Sequence, residues 1–180
     1  MGCDIHLFVE VYRKRRWTVI GNPQQLNESE NYENWLWSGR NYRLFAILAD
    51  VRNYDGFEPI DYPRGLPKDV SPQIKRLAKG LAEDCHSHSW LNLKEFLDFD
   101  WDKSAGITTR YVSPEAAKLY AETGEKPTSS CLFTSDESWV SLSWELSYRQ
   151  CCAGFLDEVL PELHVLGEPD QVRIVFWFDN

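Results

Sequence analysis

The sequence lacks several features that would assign it to a common class of protein. No apolar run approaches the ~18–20 residues of a membrane span, and no basic segment followed by an apolar stretch opens the chain, so we expect neither membrane insertion nor export. Only 10 glycines and 9 prolines occur in 180 residues, 43% of which are apolar, so collagen-like and disordered chains are excluded. We therefore expect a folded cytoplasmic protein of one domain, residues 1–180.

Positive charge and paired cysteines are also in short supply. Lys and Arg number 19 against 28 Asp and Glu, a net charge of −9, which excludes a protein that binds long duplex nucleic acid through its phosphates. The five cysteines include no Cys-x-x-Cys pair, so the sequence predicts neither a disulfide framework nor a zinc ribbon. Aromatic residues are abundant, at 14% of the chain. They can serve as large anchors of a hydrophobic core or as surfaces on which a flat ligand stacks.

The two ends of the chain carry strand patterns. Residues 3–12 alternate apolar and polar positions, residues 13–16 form a basic turn, and 17–20 return as a second strand. Residues 171–178 are apolar on both sides, which predicts a strand buried on both faces. If the first and last strands pair in antiparallel fashion, Asp179 and Asn180 lie near Asp4. The expected fold is α+β, with helices packed on one small mixed or antiparallel sheet that includes both terminal strands.

Capping signals predict the helices between these strands. Asn41, Ser71-Pro72, Asn92 and Ser113-Pro114 each precede an apolar pattern of helical period, and Gly124 ends the last of these helices. Residues 155–163 read as a further helix, and 139–150 fit a strand or a helix equally well. Loops are predicted at 21–40, 57–72, 85–89 and 125–138.

Histidine is scarce, and three of the four histidines fall in two short patterns, Asp4-Ile5-His6 and His86-Ser87-His88. On an extended backbone, residues i and i+2 face the same side, so each pattern aims two ligand atoms at one point. Three imidazoles and a carboxylate suit Zn²⁺ or Mn²⁺ rather than Ca²⁺. We therefore expect Asp4, His6, His86 and His88 to hold a divalent metal, with the histidines also catalytic. In the alternative, the histidines cross-link strands and loops by hydrogen bonds.

Anion-binding groups follow in the sequence. Arg40, Arg43, Arg52 and Arg64 fall within 25 positions and can clamp a phosphate, or else pair with the surplus carboxylates. Near the end of the helix that Asn41 caps, Asp50, Asn53 and Asp55 are candidates for completing the metal shell or orienting a water, and Asn53 is also a candidate for binding substrate. A role of these residues in a turn is equally open.

A covalent mechanism is a further alternative. It would use Cys85 beside His86, or Cys3 beside Asp4. Neighbours in a strand point to opposite faces, so an adjacent Cys-His pair needs a sharp bend of the backbone.

The chain resembles two groups of proteins. In residues 1–6, 40–46, 48–53, 63–67, 86–91 and 172–180, it is similar to a family of bacteriophage and prophage proteins. That resemblance implies a phage setting and a bacterial cytoplasm, and supplies no catalytic assignment. Asp4-Ile5-His6 and Cys85-His86-Ser87-His88 are also similar, at some positions, to ligand motifs of calcineurin-like metallophosphoesterases. The G-D-x-x-D and G-N-H-D motifs of that class are absent, so the likeness concerns chemistry and not fold.

Two functions follow as hypotheses. The first is a phage-associated metal-dependent hydrolase, a phosphodiesterase that acts on a nucleotide or another small phosphodiester. The second is a phage accessory protein without turnover, which binds a nucleotide or a host protein.

Overall fold

The computed structural model describes residues 2–20, 37, 39–81 and 84–179. The chain divides into two compact units, Met1–Asp100 with Cys152–Asn180 and Trp101–Cys151. The expectation of a single domain stays a prediction. Most of the loop predicted at 21–40 and the expected position of Asn180 lie outside the described residues.

The described residues form both strands and helices, interspersed along the chain. In the described ranges the strands are β1 (Asp4–Arg13), β2 (Arg16–Ile20), β3 (Cys85–Asn92), β4 (Ser104–Val112), β5 (Val140–Ser147) and β6 (Val172–Asp179). The helices are α1 (Tyr42–Ala49), α2 (Pro72–Gly80), α3 (Leu93–Asp98), α4 (Pro114–Thr123), α5 (Tyr148–Cys151) and α6 (Ala153–His164), and a 3₁₀ turn at Pro169–Gln171 precedes β6. Among these residues, none of the helices has the length and apolar character that crossing a bilayer requires.

Four strands of the larger unit form one antiparallel sheet in the order β2-β1-β6-β3. The first and last strands pair directly, from Asp4 opposite Asp179 to Val11 opposite Val172. The predicted antiparallel pairing of the terminal strands is confirmed, and so is the α+β fold class. Because cross-strand partners share a face of the sheet, Asp4 and Asp179 lie side by side at one end of it.

β6 forms the centre of the core. Seven of its eight residues are buried, as its uninterrupted apolar run predicts. On one face, Phe178 packs against Phe45 of α1, with ring centroids 5.1 Å apart. On the other, Trp177 joins a buried cluster that includes Ile74 of α2. The helices therefore hold β6 from both sides and fix the positions of the polar residues at its two ends.

Two of the predicted caps hold their helices as expected. The Asn41 side chain accepts hydrogen bonds from two backbone N–H groups of the first turn of α1, at 3.0 and 3.2 Å. Ser113 Oγ accepts one from the first turn of α4 at 3.2 Å. Ser71 occupies the N-cap position of α2, but its side chain makes no capping hydrogen bond. Its backbone N–H instead donates to Oε1 of Glu10 at 2.7 Å.

The prediction of a loop at 85–89 is wrong, because these residues begin β3. The run Cys-His-Ser-His-Ser has no apolar alternation, so nothing local favours a strand. Pairing with β6 supplies the hydrogen bonds on one side of β3. On the other side Gly65 N donates to His88 O at 2.8 Å, so the Pro-rich segment before α2 covers this edge of the sheet.

The smaller unit contains the antiparallel pair β4 and β5. α4 lies between these strands in the chain and ends at Gly124, whose φ of 73° is the left-handed conformation that the sequence predicts there. Residues 139–150, which fit a strand or a helix equally, contain both, because β5 is followed directly by the single turn α5. The ambiguity of the pattern thus reflects a change of backbone conformation within it.

Candidate functional site

Polar side chains gather where β1 begins and β6 ends. We call the group formed by Cys3, Asp4, His6, Arg40 and Asp179 the Asp4 end. Asp4 and His6 are two positions apart in β1, so their side chains point to the same face of the sheet. Asp179 of β6 pairs with Asp4 and therefore points to that face as well. The pairing brings together side chains that lie up to 175 positions apart in the chain.

His6 and Asp179 are hydrogen-bonded to each other. Nε2 of His6 lies 3.0 Å from Oδ2 of Asp179, and Oδ1 of the same carboxylate accepts the backbone N–H of Asp4 at 3.1 Å. The side chains of His6 and Asp179 are 15% and 33% exposed, so the contact is partly shielded but open to a ligand on one edge. A carboxylate in this position fixes the orientation of the imidazole, as it does for catalytic and metal-binding histidines.

Asp4 has its own partner, Arg40, which precedes α1. The guanidinium donates from Nε to Oδ1 at 2.8 Å and from Nη2 to Oδ2 at 2.5 Å, which is bidentate geometry. The hydrogen bond from Arg40 lowers the pKa of the Asp4 carboxyl below its usual value, so Asp4 is ionised at neutral pH. Both side chains are about half exposed, at 52% and 53%, so the pair can open to admit a ligand.

Cys3 connects the start of β1 to both ends of α1. Its backbone N–H donates to the hydroxyl of Tyr42 at 3.1 Å, and its thiol interacts with Arg52, just beyond the end of the helix. Burial raises the pKa of this thiol despite the opposing effect of the Arg52 guanidinium. A protonated, fully buried thiol is a poor nucleophile, which weighs against covalent catalysis by Cys3.

The two histidines of β3 do not join His6. β6 lies between β1 and β3, so the backbones of β1 and β3 are about 10 Å apart. His6 and His88 contact the Trp177 ring from these two strands, at centroid distances of 6.0 and 5.2 Å. The indole thus separates them on the shared face of the sheet.

A bulge separates His86 from His88. Ser87 between them has a φ of 52°, and the register of β3 against β6 shifts at this point. The His86 ring contacts Phe178, whereas His88 contacts Trp177. Adjacent residues of β6 point to opposite faces, so the two histidines do as well. The expectation that this His-x-His pair aims at one point is therefore wrong.

Burial and charge act on the side chains of β3. Burial, with a smaller effect of the neighbouring His86, lowers the pKa of His88. Burial also raises the pKa of the Cys85 thiol to about 11. Cys85 pairs with Asp179 and His86 with Phe178, so Cys85 and His86 face opposite sides, as expected for neighbours in a strand. Neither geometry nor thiol acidity supports the covalent alternative.

The predicted arginines fall into two groups. Arg40 and Arg52 lie at the Asp4 end, through their interactions with Asp4 and Cys3. Arg43 binds the carboxylate of Asp55, and Arg64 binds those of Asp61 and Glu95. Pairing with surplus carboxylates, the alternative left open by the sequence, thus describes Arg40, Arg43 and Arg64.

Asp50 and Asn53 shape the turn after α1. Asp50 ends the helix with a left-handed φ of 58°. Asn53 donates to Asp50 Oδ1 at 2.6 Å and to Phe57 O at 2.8 Å, and accepts the Phe57 N–H at 2.8 Å. These contacts match the turn role that the sequence left open for both residues.

Metal-ligand chemistry is concentrated at the Asp4 end. Within the ranges that the structure describes, no three His, Cys, Asp or Glu side chains are arranged to hold a metal ion. Two side chains of the right type, His6 and Asp179, are already in contact, and Asp4 beside them is bound to Arg40. One imidazole and two carboxylates form a donor set that suits Zn²⁺ or Mn²⁺.

A second charged group lies at the other end of the same sheet face. We call the group formed by Glu10, Trp17, Asp69, Trp90 and Arg173 the Glu10 end. Nε of Arg173 donates to Glu10 Oε2 at 2.8 Å and Nη1 to Asp69 Oδ1 at 2.9 Å, while Nη2 lies within ion-pair distance of Glu10 Oε2 at 2.7 Å. The guanidinium carbon is 3.9 Å from the Trp17 ring centroid and 5.7 Å from that of Trp90.

Sequence reasoning places Asp179 near Asp4 but does not assign it to the site, and it misses the Glu10 end. The signal for Asp179 is the antiparallel pairing of the terminal strands. Glu10 and Arg173 are 163 positions apart and carry no motif, so only their register on adjacent strands unites them.

Comparison with models of protein families, with curated proteins and with solved structures finds no match for this chain.

Proposed function

We propose that this protein is a metal-dependent hydrolase of a small phosphodiester or nucleotide, and that it works at the Asp4 end. The observation that carries the proposal is the contact between His6 Nε2 and Asp179 Oδ2 at 3.0 Å, next to the carboxylate of Asp4 and the guanidinium of Arg40. In this proposal Asp4, His6 and Asp179 hold the ion. Asp179 takes the place that the sequence gives to His86 and His88.

The distance between the two ligand atoms supports a shared ion. Zn²⁺ binds histidine nitrogen and carboxylate oxygen at ~2.0–2.2 Å in tetrahedral geometry, so neighbouring ligand atoms of one ion stand roughly 3.3–3.5 Å apart. His6 Nε2 and Asp179 Oδ2 are 3.0 Å apart in a hydrogen bond, so a small separation and a rotation of the two side chains would let both atoms face one ion. Asp4 completes the set by releasing Arg40, which is feasible because both side chains are about half exposed.

The arginines have a defined role in this scheme. A divalent ion at this place would lower the pKa of a water toward ~7 and polarise a phosphoryl oxygen. Once released from Asp4, Arg40 presents two parallel N–H groups to a phosphate. Arg52 adds a second positive charge beside Cys3. Arg40 therefore has two competing uses, because its binding to Asp4 opposes metal loading and its binding to phosphate favours turnover.

The test is a joint measurement of metal content and hydrolysis. Purified protein is reconstituted with Mn²⁺ or Zn²⁺, its metal is measured by elemental mass spectrometry, and it is incubated with a panel of cyclic and linear nucleotides. We expect one equivalent of metal in the wild type, loss of metal and turnover in His6→Gln and Asp179→Asn, and no change in His164→Gln. His164 is an exposed histidine at the end of α6, so that variant controls for loss of a histidine as such.

Arg40→Gln sharpens the test. The Arg40→Gln variant should bind metal at least as tightly as the wild type, because Arg40 no longer competes with the ion for Asp4. It should nevertheless hydrolyse the nucleotide more slowly, because the same guanidinium binds the phosphate. Absence of metal from the wild type at saturating Mn²⁺ and Zn²⁺ would refute the proposal. Retention of a nucleotide without any turnover would instead identify a binding protein, the second hypothesis from the sequence.

The setting of this activity is also a proposal. The resemblance to bacteriophage and prophage proteins leads us to place the protein in the cytoplasm of a bacterial host. Fractionation of infected cells, with the protein followed by antibody, tests this placement.

A further inference from the structure

A cavity of about 460 Å³ lies between the turn that joins β1 to β2 and the start of α2. Arg15, Arg16, Trp17, Ser71 and Gln73 are among the residues that line it. Its volume is within the ~300–1,000 Å³ typical of small-molecule sites. It lies beside the Glu10 end, about 20 Å along β1 from Asp4, so it is separate from the proposed hydrolase site.

Two arginines supply positive charge to this cavity. Arg15 and Arg16 are exposed in the tight turn, where Lys14 and Arg15 have φ values of 50° and 63°. Neither arginine forms an ion pair or side-chain hydrogen bond with another described residue, in contrast to Arg40, whose guanidinium binds a carboxylate. Positive φ at both central residues is the conformation of a two-residue hairpin turn, and Lys14 and Arg15 adopt it at some energetic cost because they carry side chains.

The start of α2 supplies hydrogen-bond donors. Pro72 at the first helical position has no N–H, and the first turn contains no acidic residue. The N–H groups of the next two positions, the first of them Gln73, have no partner within the helix. Ser71, at the N-cap, is 2% exposed, and its Oγ makes no hydrogen bond with any residue that the structure describes. A buried hydroxyl without a partner, on a residue that lines the cavity, is an independent sign of a missing acceptor.

The carboxylates near the cavity are already engaged. Glu10 accepts the Ser71 N–H and binds Arg173, and Asp69 binds Arg173 and the Trp17 indole N–H at 2.9 Å. Arg173 offsets one of these two negative charges, and Arg15 and Arg16 add two positive charges without an ion-pair partner among the described residues, so the three arginines and two carboxylates together carry a net charge of +1. An anion is the complementary ligand.

We propose that this cavity binds the phosphate of a small phosphate monoester. Arg15 and Arg16 contact its oxygens from the turn, and Ser71 Oγ and the free N–H groups of α2 donate to it from the helix. Tyr12, which is 40% exposed and packs on Trp17 with centroids 5.3 Å apart, adds an aromatic wall for a planar group. A nucleoside monophosphate uses both halves of the cavity.

Calorimetric titration of the full-length protein tests the assignment, with AMP, inorganic phosphate and adenosine as probes. We expect AMP to bind more tightly than phosphate, and adenosine to bind at least tenfold more weakly than AMP. The double variant Arg15→Gln/Arg16→Gln should weaken AMP binding at least tenfold. Arg76→Gln/Lys79→Gln, which removes the same charge from exposed positions of α2, should leave it unchanged.

Ser71→Ala isolates the role of the hydroxyl. Because Oγ has no partner within the described protein, the variant should fold as the wild type does and bind AMP several-fold more weakly. Three results would overturn the proposal: no binding of AMP at millimolar concentration, equal affinity for adenosine and AMP, or an equal loss in the control double variant. The last would mean that only net charge attracts the nucleotide. Turnover at the Asp4 end is a separate readout, so either proposal can fail alone.

Discussion

The two ends of one sheet face hold charge in opposite ways. At the Glu10 end, Glu10 and Arg173 face each other across β1 and β6, with 0% and 2% of their surface exposed. At the Asp4 end, the same pair of strands sets Asp4 opposite Asp179, and the two carboxylates are 53% and 33% exposed. The same β1–β6 pairing thus places a buried ion pair at one end and an exposed polar cluster at the other.

The difference lies in what covers each end. Trp17 lies 3.9 Å from the Arg173 guanidinium, and its indole N–H is bonded to Asp69, so an aromatic ring and a carboxylate close off the pair. A buried ion pair of this kind is expensive to break, because one charge would be left without a partner. An exposed cluster adds little to stability and stays accessible to ligands. We therefore expect the sealed pair to contribute mainly to stability and the open cluster to be accessible to ligands.

Breaking the sealed pair should have the largest effect. Arg173→Met leaves the fully buried Glu10 carboxylate without its partner, and we expect it to lower the free energy of unfolding by about 3–5 kcal/mol. Urea denaturation followed by circular dichroism measures this. The double variant Glu10→Leu/Arg173→Met should regain only part of the loss, because no charge is then buried without a partner but the Ser71 N–H loses its acceptor. A loss below about 1 kcal/mol in the single variant would show that the pair is not sealed.

Changing the open end should separate activity from stability. His6→Gln removes one hydrogen bond, which contributes about 1 kcal/mol to folding, whereas we expect hydrolysis to fall by more than ~100-fold. Unfolding by urea and turnover of the best nucleotide in the panel are measured on the same preparation. If activity falls only in proportion to the folded fraction, His6 has a structural role only. The Asp4 end would then contribute to stability, as the Glu10 end does, and not to hydrolysis.

The helix caps near the two ends sharpen the comparison. Asn41 caps α1 beside the Asp4 end, and replacing it with Ala should lower the free energy of unfolding by about 1 kcal/mol. Ser71 makes no capping bond, so Ser71→Ala should change it by only a few tenths of a kcal/mol. Parallel urea titrations distinguish the two. Equal losses would mean that the Ser71 hydroxyl has an intramolecular partner and is not available to a phosphate.

The smallest expected effect is a pH dependence from His88. Its pKa is lowered in the folded protein, so the unfolded chain binds a proton first as the pH falls below about 6.5. The contribution of His88 to the free energy of unfolding is therefore fully present above about pH 6.5, and it is lost as the pH falls through the lowered pKa of the folded protein. The urea midpoint of the wild type should therefore decline between pH 7 and pH 5 more than that of His88→Gln. Identical declines would assign the slope to other groups.

Local signals predict much of the fold. Asn41, Ser113 and Gly124 mark the ends of helices because capping is a short-range interaction between a side chain and the nearest turn. The apolar run of β6 identifies a fully buried strand for a similar reason, since burial on both faces is visible in composition. The placement of Asp179 beside Asp4 then follows from the antiparallel pairing of the terminal strands.

The rest of the site depends on long-range contacts that the sequence does not display. Residues 85–89 become strand only because β6 and the segment around Gly65 bond to both of their edges. The bulge at Ser87 then turns His86 and His88 to opposite faces of the sheet. The two-residue spacing of these histidines in the sequence does not predict such a bulge. The spacing of a His-x-His pair therefore predicts a shared target only where the strand is regular.

The order β2-β1-β6-β3 has a consequence for synthesis on the ribosome. The strand at the centre of this sheet is the last described element to be translated, so β1 and β3 have no common partner until it emerges. The backbone N–H and C=O groups of β1 that pair with β6, between Asp4 and Val11, are without these partners for most of the translation time. Closing the sheet also requires contacts across more than 160 positions, a topology that folds slowly. Nascent chains of this protein should therefore depend on chaperones that shield exposed strands.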